Sequence, residues 1–123
     1  MPRTALLVSR DLFFISKVTG TAASLGIEMR VVAGAQAAAQ IANAERFQCV
    51  FIDLADEGLD VSEFFAGLKP DVTASSMPVI AFGSHVATAR LQKARDAGCT
   101  DVLPRSRFSA SLPELLQQYC PVS

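Results

Sequence analysis

A chain of 123 residues, half of them apolar, 19% charged and with a formal net charge of -1, suits a single domain over 1–123 built on one core. The near-neutral balance and scattered basic residues argue against nucleic acid or an anionic membrane as the main partner. No apolar run approaches the ~20 residues of a membrane helix, and "MPRTALLVSR" has too short an apolar stretch for a secretory signal. Cys49, Cys99 and Cys120 cannot all pair and lack metal-ligand spacing. They read as small buried or half-buried thiols of a protein in a reducing cytoplasm.

The elements follow in chain order. "TALLVS" (4–9) reads as a buried strand, and "DLFFISKVTGTAASLG" (11–26) as a helix capped by Asp11 and stopped by Gly26. "IEMRVV" (27–32) alternates, which suggests a strand nearer the sheet edge. "GAQAAAQIANAE" (34–45) is an alanine-rich helix expected to pack closely on the sheet, and "FQCVFID" (47–53) is the central strand. "LDVSEFFAGLKP" (59–70) holds a short helix capped by Asp60 and ended before Pro70. "MPVIAFGS" (77–84) is a strand, with Pro78 tolerable at its start. A helix at 85–98 stops at Gly98, "TDVLP" (100–104) is a short strand, and 106–120 is the last helix, with Pro113 in or near its first turn.

Five strand–helix units joined by short connections predict an α/β protein with a doubly wound, five-stranded parallel sheet and helices on both faces. The chain is expected to be a free-standing domain or one part of something longer. In such a sheet the crevice lies at the carboxyl ends of the strands. Ser9, Arg10 and Asp11 follow the first strand, Asp53 the third, Gly83 and Ser84 the fourth, and Pro104, Arg105 and Ser106 the fifth. Asp53 is the one carboxylate that directly terminates a fully apolar central strand. It is therefore the leading candidate for a chemical role, the alternative being an ordinary loop acid.

Almost the whole chain resembles the receiver domains of response regulators. "DLADEGLDV" (53–61) is similar to the segment around the receiver's phosphorylated aspartate, with Leu59-Asp60-Val61 in place of its Met-Asp-Gly-like turn. "MPVIAFGS" resembles the family's fourth strand, and "DAGCTDVLPRSRF" (96–108) its Ala-Gly-Ala-Asp-Asp-Tyr-Leu-x-Lys-Pro-Phe segment. Gly83 and Arg105 fall 30 and 52 residues after Asp53, where the family places its hydroxyl residue and its lysine. The resemblance implies the flavodoxin-like strand order 2-1-3-4-5 and a role in two-component or phosphorelay signalling. In the family, a phosphohistidine passes its phosphoryl group to the aspartate, with Mg²⁺ neutralising the phosphoryl oxygens.

At several of these positions the chain departs from the pattern. Ser9 and Arg10 stand where the family has its acidic pair, and Asp11, one place further on, is expected to cap the first helix. A guanidinium cannot ligate a metal and repels a cation. The exchange shifts local charge by about two units, so Mg²⁺ binding is expected to be lost or weak, with no metal site and no cofactor. Arg10 is expected to pair with Asp53 in the metal's place, the alternative being a guanidinium turned to solvent. Gly83 lacks the switching hydroxyl, which Ser84 could supply only by a one-residue shift. Val102 replaces the switching aromatic, and Ser106 replaces the proline after the lysine. Arg105 keeps the charge and can hold a carboxylate or phosphate bidentately.

Together these changes point to a degenerate receiver: a non-enzymatic module that acts by protein–protein interaction without Mg-dependent phosphorylation. The partner expected is a histidine kinase, an output domain or a second copy, met through helix 85–98, strand 100–104 and helix 106–120. The rival is a working receiver phosphorylated on Asp53 by a histidine kinase. A flavodoxin-like small-molecule site is disfavoured because "VSRDLF" carries no glycine-rich loop. His85 reads as a capping or solvent-facing imidazole. Arg90, Lys93 and Arg95 read as a solvated face. Phe13–Phe14 and Phe64–Phe65 are adjacent pairs in which one ring is core and the other forms an exposed patch, unless both pack under the sheet.

Overall fold

The apolar runs become strands because β-branched and aromatic residues fill both faces of a pleated ribbon that is covered on either side. In the computed structural model, which describes residues 3–122, they are β1 (Arg3–Val8), β2 (Ile27–Val32), β3 (Cys49–Asp53), β4 (Val79–Gly83) and β5 (Asp101–Pro104). All pairings are parallel, in the order β2-β1-β3-β4-β5. This is the doubly wound, flavodoxin-like arrangement. Every residue of β3 and β4 is buried. The pattern of β2, buried at Ile27 and exposed at Glu28 and Val31, marks the edge that its alternating sequence predicts.

Seven helices wrap the sheet: α1 (Leu12–Ser24), α2 (Ala35–Ala44), α3 (Val61–Ala66), α4 (Pro70–Ala74), α5 (Thr88–Ala97), α6 (Arg105–Ala110) and α7 (Leu112–Tyr119). The Asp11 carboxylate accepts the Phe14 N–H and starts α1, and Asp60 caps α3 through the Ser62 N–H. Gly98 closes α5 at φ 113°, a left-handed backbone that suits glycine.

The short helix expected to end before Pro70 does so, as α3, but a further helix follows it, and the last predicted helix divides. Pro70 holds Lys69 extended, then opens the separate helix α4 from its first position. The expected 106–120 helix breaks at Ser111 into α6 and α7, with Pro113 in the first turn of α7 as its position predicts. The helix expected at 85–98 begins only at Thr88, which leaves His85 exposed in the preceding loop.

Two cores flank the sheet. On one face α2, α3 and α5 pack through Ala38, Ala39, Ala42, Phe64, Leu91 and Ala94. On the other, α1, α6 and α7 pack through Phe14, Val18, Phe108, Leu112 and Leu116 against Phe51 and Phe82. Each adjacent phenylalanine pair splits. Phe14 is core and Phe13 is 93% exposed, while Phe64 is core and Phe65 packs edge-on against it, partly buried. Among the described residues no helix is long and apolar enough to cross a membrane.

Candidate functional site

Parallel register brings the ends of β1, β3, β4 and β5 to one edge, because Val8 pairs with Ile52, Asp53 with Phe82, and Gly83 with Pro104. The residues that follow these strands therefore meet although they are distant in sequence. Asp53 is 1% exposed at the centre of that edge. A carboxylate so placed needs partners for both oxygens. Its Oδ1 accepts from Arg105 Nη2 at 2.5 Å and from the Ala55 N–H at 2.9 Å. Its Oδ2 accepts from the Ser9 hydroxyl at 2.8 Å. Ser9 Oγ in turn accepts the Asp11 N–H at 3.2 Å, so the β1 end and the β3 end are tied through one hydroxyl.

Arg105, the first residue of α6, is the cation on Asp53. Arg10 is not, contrary to the pairing its sequence position suggests. Arg10 lies past the end of β1 with a side chain 65% exposed, and its Nε donates to Asp56 Oδ2 at 2.9 Å on the rim. Two physical reasons separate the arginines. Ser9 already occupies the Asp53 oxygen on the β1 side. Arg105 is supported on rings, with its guanidinium carbon 4.7 Å from the Phe14 ring centre and 5.8 Å from that of Phe82. The same guanidinium reaches Asp11 Oδ2 at 3.3 Å. The Phe14 N–H donated to Asp11 holds its carboxyl below the ordinary range; burial opposes this, and Arg105 adds to the lowering.

The other sequence candidates fall into place around this network. Gly83 is buried, and a Cβ there would stand 3.1 Å from Leu54 Cβ and 3.6 Å from Leu91 Cδ2. The room a hydroxyl side chain needs is thus filled by Leu54. Ser84 is exposed, and its hydroxyl accepts the Val86 N–H at 3.4 Å rather than turning to Asp53. Val102 is buried in the core that packs α5.

Sequence reasoning missed Arg90. It reads as part of a solvated face, yet its guanidinium donates to the carbonyls of Leu54, of Asp56 at 3.3 Å and of Glu57 at 2.8 Å. The loop after Asp53 is therefore clamped to α5. The available signal was position: Arg90 lies four residues before Ala94, on the edge of the buried stripe that Leu91 and Ala94 define.

Beside Asp53 opens a cleft of ≈ 540 Å³ lined by Arg10, Asp11, Asp53, Asp56 and Glu57. As arranged, its donors do not fit a divalent cation. A hard ion needs several convergent oxygens free to face it, whereas the Asp53 oxygens are taken by Arg105, Ala55 and Ser9, and Asp56 by Arg10. Among the described residues no group of three acidic, His or Cys side chains is disposed to hold a metal.

No protein-family model matches the chain, and no curated protein sequence matches it. Solved structures do. The receiver domain of a sensor histidine kinase from Pseudomonas aeruginosa, determined with magnesium in its active-site cleft, superposes with a TM-score of 0.81 at 20% identity over 99% of this chain and 100% of its own. A response regulator from Hahella chejuensis gives 0.83 at 14% identity over 98% and 96%. A chemotaxis response regulator of Vibrio cholerae gives 0.79 at 18% identity over 97% and 99%. The fold is that of the response-regulator receiver domain.

Proposed function

We propose that this chain is a degenerate receiver: a non-enzymatic, cytoplasmic signalling module that works by protein–protein interaction without Mg-dependent phosphorylation of Asp53. The observation that carries the reading is the closed set of partners around Asp53, with Arg105 and Ala55 on one oxygen and Ser9 on the other. A phosphoryl donor approaching Asp53 meets an engaged carboxylate, and the acid from the β1 end, Asp11, is itself occupied by the Phe14 N–H and Arg105. Gly83 and Val102 support the same reading, since neither can relay a phosphoryl group to the surface. Arg90, which ties the loop to α5, favours a single state. The face proposed for a kinase, an output domain or a second copy is α5, β5, α6 and α7.

A second reading, a working phosphoacceptor, draws on the open cleft beside Asp53 and on Arg105 in place of the family's lysine. Incubation with acetyl phosphate and Mg²⁺, followed by intact-mass spectrometry, separates the two. The expected spectrum is unchanged. A stoichiometric gain of one phosphoryl group that Asp53→Asn abolishes ends the degenerate reading. In parallel, Arg10→Asp is expected to bring Mg²⁺-dependent NMR shifts to the residues around Asp53, because it restores an acid to the β1 end.

A further inference from the structure

At the end of the sheet opposite Asp53, the segments that lead into β4 and β5 frame a cleft of ≈ 580 Å³, somewhat larger than the ≈ 540 Å³ cleft beside Asp53. Phe65 of α3, Leu68, Val72 of α4 and Met77 form its walls, and each of these side chains is only half-buried. The lining holds no Lys, Arg, Asp, Glu or His. The clefts beside Asp53 and beside Arg90, in contrast, carry charges of both signs.

Two features mark this as a site rather than a gap in the packing. The helix α4 forms one wall, yet it buries none of its five residues. A helix that short has little stability of its own, and its apolar Val72 lies against an unfilled space. The second feature is Ser76, just after α4, with φ 56°; among the described residues it is the one non-glycine in left-handed backbone. Glycine would close a helix there without steric cost. Serine instead adds a hydroxyl to the lining, and backbone strain of this kind collects at ligand clamps. Thr100 adds a second hydroxyl. Its Oγ1 accepts the Val79 N–H at 3.0 Å, so its own hydrogen is left to donate elsewhere.

We propose that this cleft binds an uncharged, largely apolar small molecule with a hydrogen-bond acceptor. The body of the guest lies on Phe65, Leu68, Val72 and Met77, and its acceptor takes the hydrogens of Ser76 and Thr100. Charge decides the class. An ionised guest entering here gives up its water and meets no opposite charge in the lining, a loss that two hydroxyls do not offset. Binding is driven by the water released from the apolar walls. The volume falls within the roughly 300–1,000 Å³ of small-molecule sites, and the unbranched Met77 side chain can adapt to the shape of the guest. The site is separate from Asp53 and holds whether or not that residue takes a phosphoryl group.

The test is an NMR titration of the ¹⁵N-labelled full chain with 2-naphthol, which is uncharged at neutral pH, and with its anionic counterpart 2-naphthoate. 2-Naphthol should shift the amides of residues 65–79 and 97–100 saturably, at concentrations of order millimolar for so small a probe. 2-Naphthoate should bind about tenfold more weakly or not at all. Ser76→Gly, which removes the hydroxyl and suits the backbone, should weaken 2-naphthol roughly threefold. Ala97→Leu, which fills the cleft from α5, should abolish the shifts. The two wild-type titrations decide the matter even if a variant fails to fold. Shifts that do not saturate, shifts centred on Asp53 or equal binding of the two probes overturn the proposal. So do amides of residues 65–79 that move with protein concentration alone, which would mean that a second copy covers the cleft.

Discussion

The two faces of the sheet are built to different rules. Under α2, α3 and α5 the core is mostly aliphatic, the helix α2 packs through alanines, and backbones approach closely. Gly67 is so near α2 that a Cβ there would stand 2.8 Å from Ala39 Cβ, and Asn43 bridges the gap to the Gly67 carbonyl and the Lys69 N–H at 2.9 Å each. Under α1, α6 and α7 the core is aromatic: Phe108 stacks on Phe82 at 4.1 Å, 8° from parallel, with Phe51 and Phe14 at 5.5 and 5.7 Å. The difference explains the crevice. The aromatic face puts rings beside the crevice, and Arg105 lies on Phe14 as it reaches Asp53. The polar network is thus an extension of one core, not an independent feature of the loops.

The largest expected effect follows from that arrangement. Phe108 is fully buried and touches three other rings. Phe108→Ala should cost about 3–5 kcal/mol of stability, read from urea denaturation. It should also loosen Arg105, because α6 carries both residues. If NMR shifts around Asp53 stay fixed in a folded Phe108→Ala protein, the coupling between core and crevice is wrong.

Much of this was legible in the chain. Alternating apolar runs and helical periods foretold the five strands and their class, since each run is long enough to bury and is punctuated by Gly, Pro or Asp. Asp53 stood out because it ends an apolar strand. The choice between Arg10 and Arg105 did not show, because it depends on ring faces contributed by residues 14 and 82. Nor did the filling of the Gly83 space by Leu54 or the turning of Arg90 onto three carbonyls. Each is a contact between side chains far apart in sequence, to which local periodicity is blind. The separate helix α4 was missed for a smaller reason: Pro70 ends one pattern and equally well begins another.

The next effect sharpens the comparison by separating rings from charges. Arg105→Ala leaves the Asp53 carboxylate buried with only the Ser9 hydroxyl and the Ala55 N–H. Arg105 is 29% exposed, so water enters part of the space, and a loss of about 2 kcal/mol is expected. Removing the carboxylate as well, in Asp53→Ala/Arg105→Ala, should recover part of that loss, because no uncompensated charge remains. Urea titration of the two single variants, the double variant and the wild type supplies the coupling. Strict additivity would mean that Arg105 contributes through its contact with Phe14 alone.

The smallest effect lies at Asp11, where the aromatic face meets the start of α1. Its carboxylate accepts the Phe14 N–H and is approached by Arg105, and together these hold it below its ordinary value of 3.8. A carboxyl whose folded pKa is depressed stabilises the fold fully above its unfolded value and loses that contribution as pH falls through the folded one. Between neutral pH and about pH 5 the term is therefore flat; below the ordinary carboxylate value it declines. Asp11→Asn keeps an N-cap oxygen but cannot ionise. Near neutrality the variant should lie within a few tenths of a kcal/mol of wild type, since Asn and Asp cap about equally well and the lost pair is half-exposed. As the pH is lowered through the carboxylate range the two denaturation midpoints should converge. A gap that stays constant from neutrality into acid would show that the Asp11 charge adds nothing to the contact with Arg105.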